Sequence, residues 1–318
     1  MKLIIQIPCY NEEKALPSAL LDLPRSMEGI DSLDWLIVDD GSEDKTVEVA
    51  KENGVHHVLR LPRNSGLAKA FSAGLEECLR LGADVIVNTD ADNQYNAEDI
   101  PKLVAPILEG KADMVVGERP ISSIEHFSPI KKLLQKWGSA VVRSISRTDV
   151  RDAPSGFRAY SRDAAMRLNV FSNYTYTLET IIQAGQMGMS VVSVPIRVNG
   201  ETRPSRLVKS IPSYVKRSIV TMIRVFVVYR PMRFFGYLAA LAFLPGIALG
   251  LRFLYYYLGG DGDGHIQSVI LAALLMGSGL LLAIVAVITD LISVNRRLLQ
   301  KMQWQIRKLE DELLRKGS

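Results

Sequence analysis

Three short segments of the sequence gather side chains that could hold a charged ligand: Pro8, Tyr10, Asn11, Glu12 and Glu13; Asp39, Asp40, Gly41 and Ser42; and Asp90, Asp92 and Gln94. Any one of them could be a helix cap, as Ser42 and Asp44 before Thr46 would be. Each of the three, however, follows an apolar run, and a coincidence of caps at three strand ends is a poor explanation. Carboxylates brought together raise one another's pKa values unless a cation or a hydrogen-bond donor compensates. A divalent metal is therefore the economical reading of Asp90, Asp92 and Gln94, all oxygen ligands suited to Mg²⁺ or Mn²⁺. A hard cation held by few protein oxygens takes phosphate oxygens as its remaining ligands. Neither a GxGxxG turn after the first strand nor a GxxxxGK[ST] loop is present, so the pattern points to a nucleotide bound through its metal.

The elements that must position these residues are short. Apolar runs at Leu3 to Ile7, Trp35 to Val38, His57 to Leu61, Val85 to Thr89, Met114 to Gly117 and Val191 to Val198 read as strands. Helical periodicity fills Glu12 to Leu23, Lys45 to Asn53, Leu67 to Leu81, Ala97 to Glu109, Ile130 to Ser146 and Thr177 to Met187. This alternation predicts an α/β fold, a mostly parallel Rossmann-like sheet with helices on both faces. Ligands of such sheets sit beyond the carboxyl ends of the strands, where the three clusters fall.

The whole chain has 318 residues, 48% of them hydrophobic and 23% charged, with 38 Lys+Arg against 34 Asp+Glu. Its mean hydropathy is +0.12, high for a soluble enzyme with a normal charged fraction, so the apolar residues must be unevenly spread. Disorder and collagen-like sequence are excluded. Two cysteines, Cys9 and Cys78, make no disulfide framework and fit a reducing compartment. A net charge of +4 gives no ground for a nucleic-acid partner.

Two stretches carry the excess. Residues 234–258 hold one charge, Arg252, and Ile266 to Thr289 hold none; each exceeds the roughly 20 residues that cross a bilayer as a helix. They predict a transmembrane hairpin over 234–292, with spans at 234–258 and 266–290. Arg203 to Arg233 contains eight basic residues and no acidic ones, and the tail after Asn295 has seven basic and three acidic. The positive-inside rule then puts both flanks in the cytoplasm, at the inner membrane of a cell. The run LIIQIP reads as a strand and not as a leader, so the domain at 1–206 is expected to stay cytoplasmic. Residues 207–233 read as basic amphipathic helices lying in the interface, and 293–318 as a cytoplasmic helix. In that last helix Ile292, Asn295, Leu299, Met302, Ile306, Leu309 and Leu313 recur at spacings of three and four, a stripe suited to pairing between subunits or back onto the cytoplasmic domain.

The motifs PCYNEE at 8–13, VDDGSEDKT at 38–46, NSGLAKAFSAG at 64–74, DADNQ at 90–94 and SGFRAYS at 155–161 resemble those of the family 2 glycosyltransferases of the GT-A fold. Within that family the chain is similar to the membrane-anchored polyprenyl-phosphate glycosyltransferases, such as dolichyl-phosphate-mannose synthase and the bacterial undecaprenyl-phosphate glucosyltransferases. The likeness covers residues 2–206. It departs from the family where GSED replaces GSTD and where the segment after DADNQ lacks LQHPP.

The resemblance implies a nucleotide-sugar donor, UDP-linked, with Pro8, Tyr10, Glu12, Asp39 and Asp40 around the nucleoside. It implies that Asp90, Asp92 and Gln94 hold Mg²⁺ or Mn²⁺ against the diphosphate, with Asn64 and Lys69 near the same phosphates. The acceptor would be a polyprenyl phosphate, already nucleophilic at neutral pH because its second pKa is near ~6. Such a reaction needs cations more than a base. Arg119, Arg158 and Asp92 are the expected catalytic residues, with Lys132, Arg203, Ser205 and Arg206 around the acceptor phosphate or the diphosphate. Alternatively, a lipid hydroxyl of the diacylglycerol type would need a base, for which Asp152 or Glu179 could serve. The bilayer itself and further copies of the chain, a tetramer being favoured, complete the expected partners.

Overall fold

The computed structural model describes residues 1–120, 129–170, 176–199, 211–260 and 265–316. They divide into two compact units, one of Met1–Ser218 with Gln303–Ser318 and the other of Ile219–Met302.

The first unit is built on β1 (Lys2–Cys9), β2 (Ser32–Asp39), β3 (His57–Arg60), β4 (Val85–Asn88), β5 (Met114–Glu118), β6 (Arg158–Ser161) and β7 (Val191–Pro195). They form one sheet in the order β3-β2-β1-β4-β6-β5-β7. All neighbours are parallel except β6, which runs antiparallel to both β4 and β5. β1 and β2 are buried on both faces along most of their length, which is why they read as continuous apolar runs and not as alternating ones. Leu3, Ile5, Ile7, Trp35, Ile37, Val85 and Val87 form the middle of the core.

The helices around this sheet are α1 (Leu16–Asp22), α2 (Thr46–Glu52), α3 (Leu67–Arg80), α4 (Ile100–Leu108), α5 (Pro129–Ser146), α6 (Arg162–Arg167) and α7 (Thr177–Gln186). The expected mostly parallel sheet with helices is thus present, with two additions. β6 and α6 lie where the sequence shows a four-residue run and a six-residue helix, both too short to register as periodic. α1 starts four residues later than its periodicity suggests. The amides of Ala15 and Leu16 both bond the Glu12 carbonyl, closing a turn first, and Pro17 favours the helix start beyond it.

In the second unit α8 (Ile211–Tyr229) is completed and followed by α9 (Pro231–Leu258) and the greater part of α10 (Ile266–Lys316). α9 and α10 are long and apolar enough to cross a membrane, with only 11% and 17% of their apolar windows buried. Small residues face inward between them. Ala239, Ala272 and Ala286 are buried, and a Cβ on Gly279 would stand 2.8 Å from that of Phe243. Leu241, Leu244, Leu281 and Leu291 point outward, the distribution expected of helices whose solvent is lipid.

α10 is one unbroken helix of 51 residues, so the span and the cytoplasmic helix read separately in the sequence are continuous. Its last part belongs to the first unit and docks there through its polar side. Trp304 Nε1 donates to Asp163 at 3.1 Å, and Arg307 donates to the carbonyls of Met166 and Leu168, both at 3.2 Å. Arg307 also reaches Glu76 at 2.9 Å, and Asp311 pairs with Arg162. The stripe of Ile306, Leu309 and Leu313 lies on the other side, 54–71% exposed.

The chain beyond β7 is anchored by Arg197, whose guanidinium and amide both bond the buried Asp99. Burial alone would raise the Asp99 pKa, but hydrogen bonds from Arg197 and Lys102 outweigh it and lower the value from 3.8 to about 2. A carboxylate with a depressed folded pKa adds stability that is present above its unfolded pKa and is lost as the pH falls through the folded value. Asp99→Asn should therefore reduce stability near pH 7 and give a shallower loss between about pH 4 and 2 than the parent. Circular-dichroism melts across that range check it; parallel pH profiles would show that the pair contributes nothing.

Candidate active site

A cavity of about 310 Å³ opens at the carboxyl ends of β1 and β4 and the start of α3, within the size range of small-molecule sites. Pro8 and Cys9 at the end of β1, with Tyr10 and Glu12 after it, line one wall, and Asp40 follows β2. Asn64, Gly66, Leu67 and Ala70 bring the first turn of α3 to the opposite wall, while Asp90, Ala91 and Asp92 form the end beyond β4. The positive end of the α3 dipole thus opens into the space where an anion could sit.

The loops after β1 and β2 hold each other. Asn11, in a left-handed conformation with φ 55°, donates its backbone N–H to the Ser42 hydroxyl oxygen and accepts the Glu43 amide on its Oδ1. Glu12 N–H donates to Thr46 Oγ1, and Glu13 N–H to Asp44. These bonds stitch the two loops together; neither α1 nor α2 has a side-chain bond from its N-cap residue, and it is Asp44, which accepts the Thr46 amide, that serves the start of α2. Asp40 accepts the amides of Ser65 and Gly66 at 2.7 and 2.8 Å, fixing the turn into α3. Asp39, the neighbour of Asp40, is fully buried and does not itself line the cavity. Its Oδ1 accepts the Ser42 amide, while its Oδ2 stands 3.2 Å from Arg60 Nε without making a hydrogen bond. An acceptor left so, beside a cavity, is suited to a donor group on a ligand.

Asp90 is the electrostatic centre. Burial at the cavity end and the charge of Asp92 push its carboxyl up to about 7, with Arg119, the Tyr95 hydroxyl and Arg158 opposing. Its surroundings are close. A Cβ on Gly156 would fall 3.1 Å from both Asp90 oxygens and 2.9 Å from the Tyr176 hydroxyl. Gly156 is itself pinned on both sides: its N–H donates to Tyr95 Oη at 3.0 Å, and its carbonyl accepts Asn88 Nδ2 at 2.8 Å. Asn88 also donates to Tyr176 Oη and accepts from Gln6, all within the core. Tyr95 stacks on Phe157 and Tyr176 on Phe71.

The raised Asp90 carboxyl with the charge of Asp92 beside it is a donor set that a divalent cation would relieve. Among the described residues no three His, Cys, Asp or Glu side chains gather to hold an ion by themselves, so such an ion would take further oxygens from its ligand. Gln94, expected as a third ligand, does not line the cavity; the left-handed Asn93 turns the chain before it. Lys69 is exposed on the first turn of α3 and also lies off the cavity wall.

Arg119 and Arg158 part company. Arg119, at the end of β5, is gripped by the fully buried Asp152, which accepts its Nε at 2.7 Å, its Nη2 at 3.0 Å and its amide at 3.2 Å. So engaged, Asp152 is not placed to act as a base. Arg158 corrects the expectation of a substrate contact. It is wholly buried and donates to the carbonyls of Ser155, Thr177 and Ala153 and to Thr180 Oγ1. It braces the loop carrying Gly156. Glu179 is likewise buried, beside Gln183 on α7. Lys132 lies in α5, but its side chain, with Arg203, Ser205 and Arg206, falls outside the described residues.

Residues 4–168 match the family model described as glycosyl transferase family 2. The chain is 30% identical over 219 residues to an undecaprenyl-phosphate mannosyltransferase of Micrococcus luteus, covering 64% of this chain and 88% of that one. It is 31% identical to a UDP-N-acetylglucosamine–dolichyl-phosphate N-acetylglucosaminyltransferase of Methanococcus voltae, covering 60% and 83%. Among solved structures, glucosyl-3-phosphoglycerate synthase from Mycobacterium tuberculosis, in complex with Mn²⁺, UDP and glucosyl-3-phosphoglycerate, superimposes with a TM-score of 0.53 at 20% identity, over 70% of this chain and 79% of that one. The sheet of the first unit is accordingly of the GT-A kind.

A methyl group at position 156 cannot be accommodated without moving Asp90 or Tyr176. Gly156→Ala is expected to weaken Mn²⁺ binding in the presence of UDP about tenfold while the protein stays folded. Titration calorimetry measures it, and an unchanged affinity would show that this contact does not set the carboxylate.

Proposed function

The chain belongs to glycosyl transferase family 2, and from that membership we propose that it moves a sugar from a UDP-linked donor to the phosphate of a polyprenyl phosphate at the cytoplasmic face of a membrane. The observation that carries this reading is the union in one chain of the two-carboxylate cavity with two helices long enough to cross a bilayer. Relatives whose names specify undecaprenyl and dolichyl phosphate as acceptors support the lipid, and the UDP and Mn²⁺ of the similar structure support the donor and the cation.

In this mechanism Asp90 and Asp92 hold Mg²⁺ or Mn²⁺. When bound, the ion neutralises charge developing on the leaving diphosphate. Tyr10, Pro8 and Glu12 flank the nucleoside, with Asp39 Oδ2 as acceptor for the base. The start of α3 with Asn64 faces the diphosphate, adding fixed partial positive charge that needs no reorganisation during reaction. An acceptor phosphate whose second pKa is near ~6 is already an anion at pH 7 and needs no base. Its oxygen attacks the anomeric carbon from the face opposite the diphosphate and inverts the configuration. What it needs is a cation to hold two anions together, and Arg119, oriented by Asp152, is the residue proposed for that. Lys132, Arg203, Ser205 and Arg206 are proposed to share this task. A hydroxyl acceptor would need a general base; the engagement of Asp152 disfavours that route. The exposed stripe of α10 supports self-association of the chain.

Membranes containing the full chain, supplied with radiolabelled UDP-sugars and polyprenyl phosphate, should form a lipid product hydrolysed by mild acid, as a glycosyl phosphate is. A product stable to mild acid rejects the phosphate acceptor. Asp92→Asn should lower the transfer rate at least about a hundredfold, and transfer at the parental rate would rule out Asp92 as a ligand.

A further inference from the structure

We propose that Asn199 is a positioning residue for the metal-binding turn, fixing Asp92 through the backbone of Gln94. The inference rests on the assignment of Asp90 and Asp92 as ligands made above. Asp92 Oδ1 accepts the Gln94 amide at 3.2 Å. The carbonyl of the same Gln94 accepts the amide of Asn199 at 2.8 Å. One residue thus has its N–H on the carboxylate and its C=O on Asn199, so movement of Asn199 is passed to Asp92 through a single backbone unit.

The side chain of Asn199 completes the hold. Its Nδ2 donates to the carbonyl of Asn93 at 3.0 Å and stands 3.4 Å from that of Tyr95. Asn93 has φ 55°, so the turn that re-aims the chain after Asp92 presents carbonyls that no strand or helix satisfies. An amide group, with two N–H donors on one atom, can serve both. Around it, Tyr95 pairs with Val198 in an isolated bridge and the Asn96 amide donates to the Arg197 carbonyl. The salt bridge of Arg197 with Asp99 fixes the other side of this stitch. Outer partners of this kind commonly change metal affinity by about 10–100-fold when removed.

The test uses the full-length protein. Free Mn²⁺ is followed by electron paramagnetic resonance during titration in the presence of UDP, for the parent, Asn199→Ala, Asn199→Asp and Asp92→Asn. Asn199→Asp keeps the size and the backbone bond but turns the donor into an acceptor facing carbonyls, and it serves should the alanine variant fail to fold. Both Asn199 variants should bind Mn²⁺ about tenfold more weakly, with metal-free UDP binding unchanged. If Asp92→Asn loses Mn²⁺ while both Asn199 variants keep the parental affinity, the role of Asn199 is refuted and the metal site stands. If Asp92→Asn binds Mn²⁺ like the parent, the site assignment fails and this inference with it. An equal loss of metal-free UDP binding would mark a general distortion and also overturns the proposal.

Discussion

Asp90 and Asp92 lie two residues apart beyond the end of a buried strand, and the fold must hold the two carboxylates close together. Burial and the charge of Asp92 raise the Asp90 carboxyl to about 7, so bringing the two carboxylates together is electrostatically costly. Much of what surrounds the pair opposes its relaxation. Gly156 leaves no room on one side, Tyr95 and Asn88 tie the backbone of Gly156 down, and Asn199 holds the turn that follows. Such pre-organisation would let a cation bind without first assembling its site.

The support reaches well below the cavity. Gln6 in β1, Asn88 in β4 and Tyr176 ahead of α7 form a buried polar chain, with Gln6 Nε2 3.0 Å from Asn88 Oδ1 and Asn88 Nδ2 2.9 Å from Tyr176 Oη. Each group would be costly if left unpaired in the core. Together they specify how the antiparallel β6 and its preceding loop seat against β4. Arg158 does the same from the other end, spending its donors on the carbonyls of that loop. The loop carrying Gly156 is thus fixed by polar bonds in a region otherwise packed by Phe71, Phe157 and Tyr160.

The sequence made the parallel strands legible because burial on both faces leaves unbroken apolar runs, and it made the carboxylate clusters legible because they end those runs. β6 escaped because four residues carry no period, and because its Arg158 looks like a charge awaiting a ligand. Whether an arginine meets substrate or carbonyls depends on what lies across from it, which is a property of distant segments. Arg119 shows the converse: GER marked it, but only the fold brings Asp152 from 33 residues away. Tyr95 and Asn199 gave no signal, since they act through backbone groups that the sequence does not display. The stripe on α10 was visible as a period, yet its opposite face makes the contacts, because Trp304, Arg307 and Asp311 find polar partners on α3 and α6.

The return of α10 also bears on how the chain is connected. The first unit is left at Ser218 and re-entered at Gln303, so the apolar helices form an excursion from a body to which the chain returns. A single break ahead of α8 would sever the covalent link, yet the body would still hold the end of α10 through Trp304, Arg307 and Asp311. Two separate failures, one covalent and one of docking, are needed to part them.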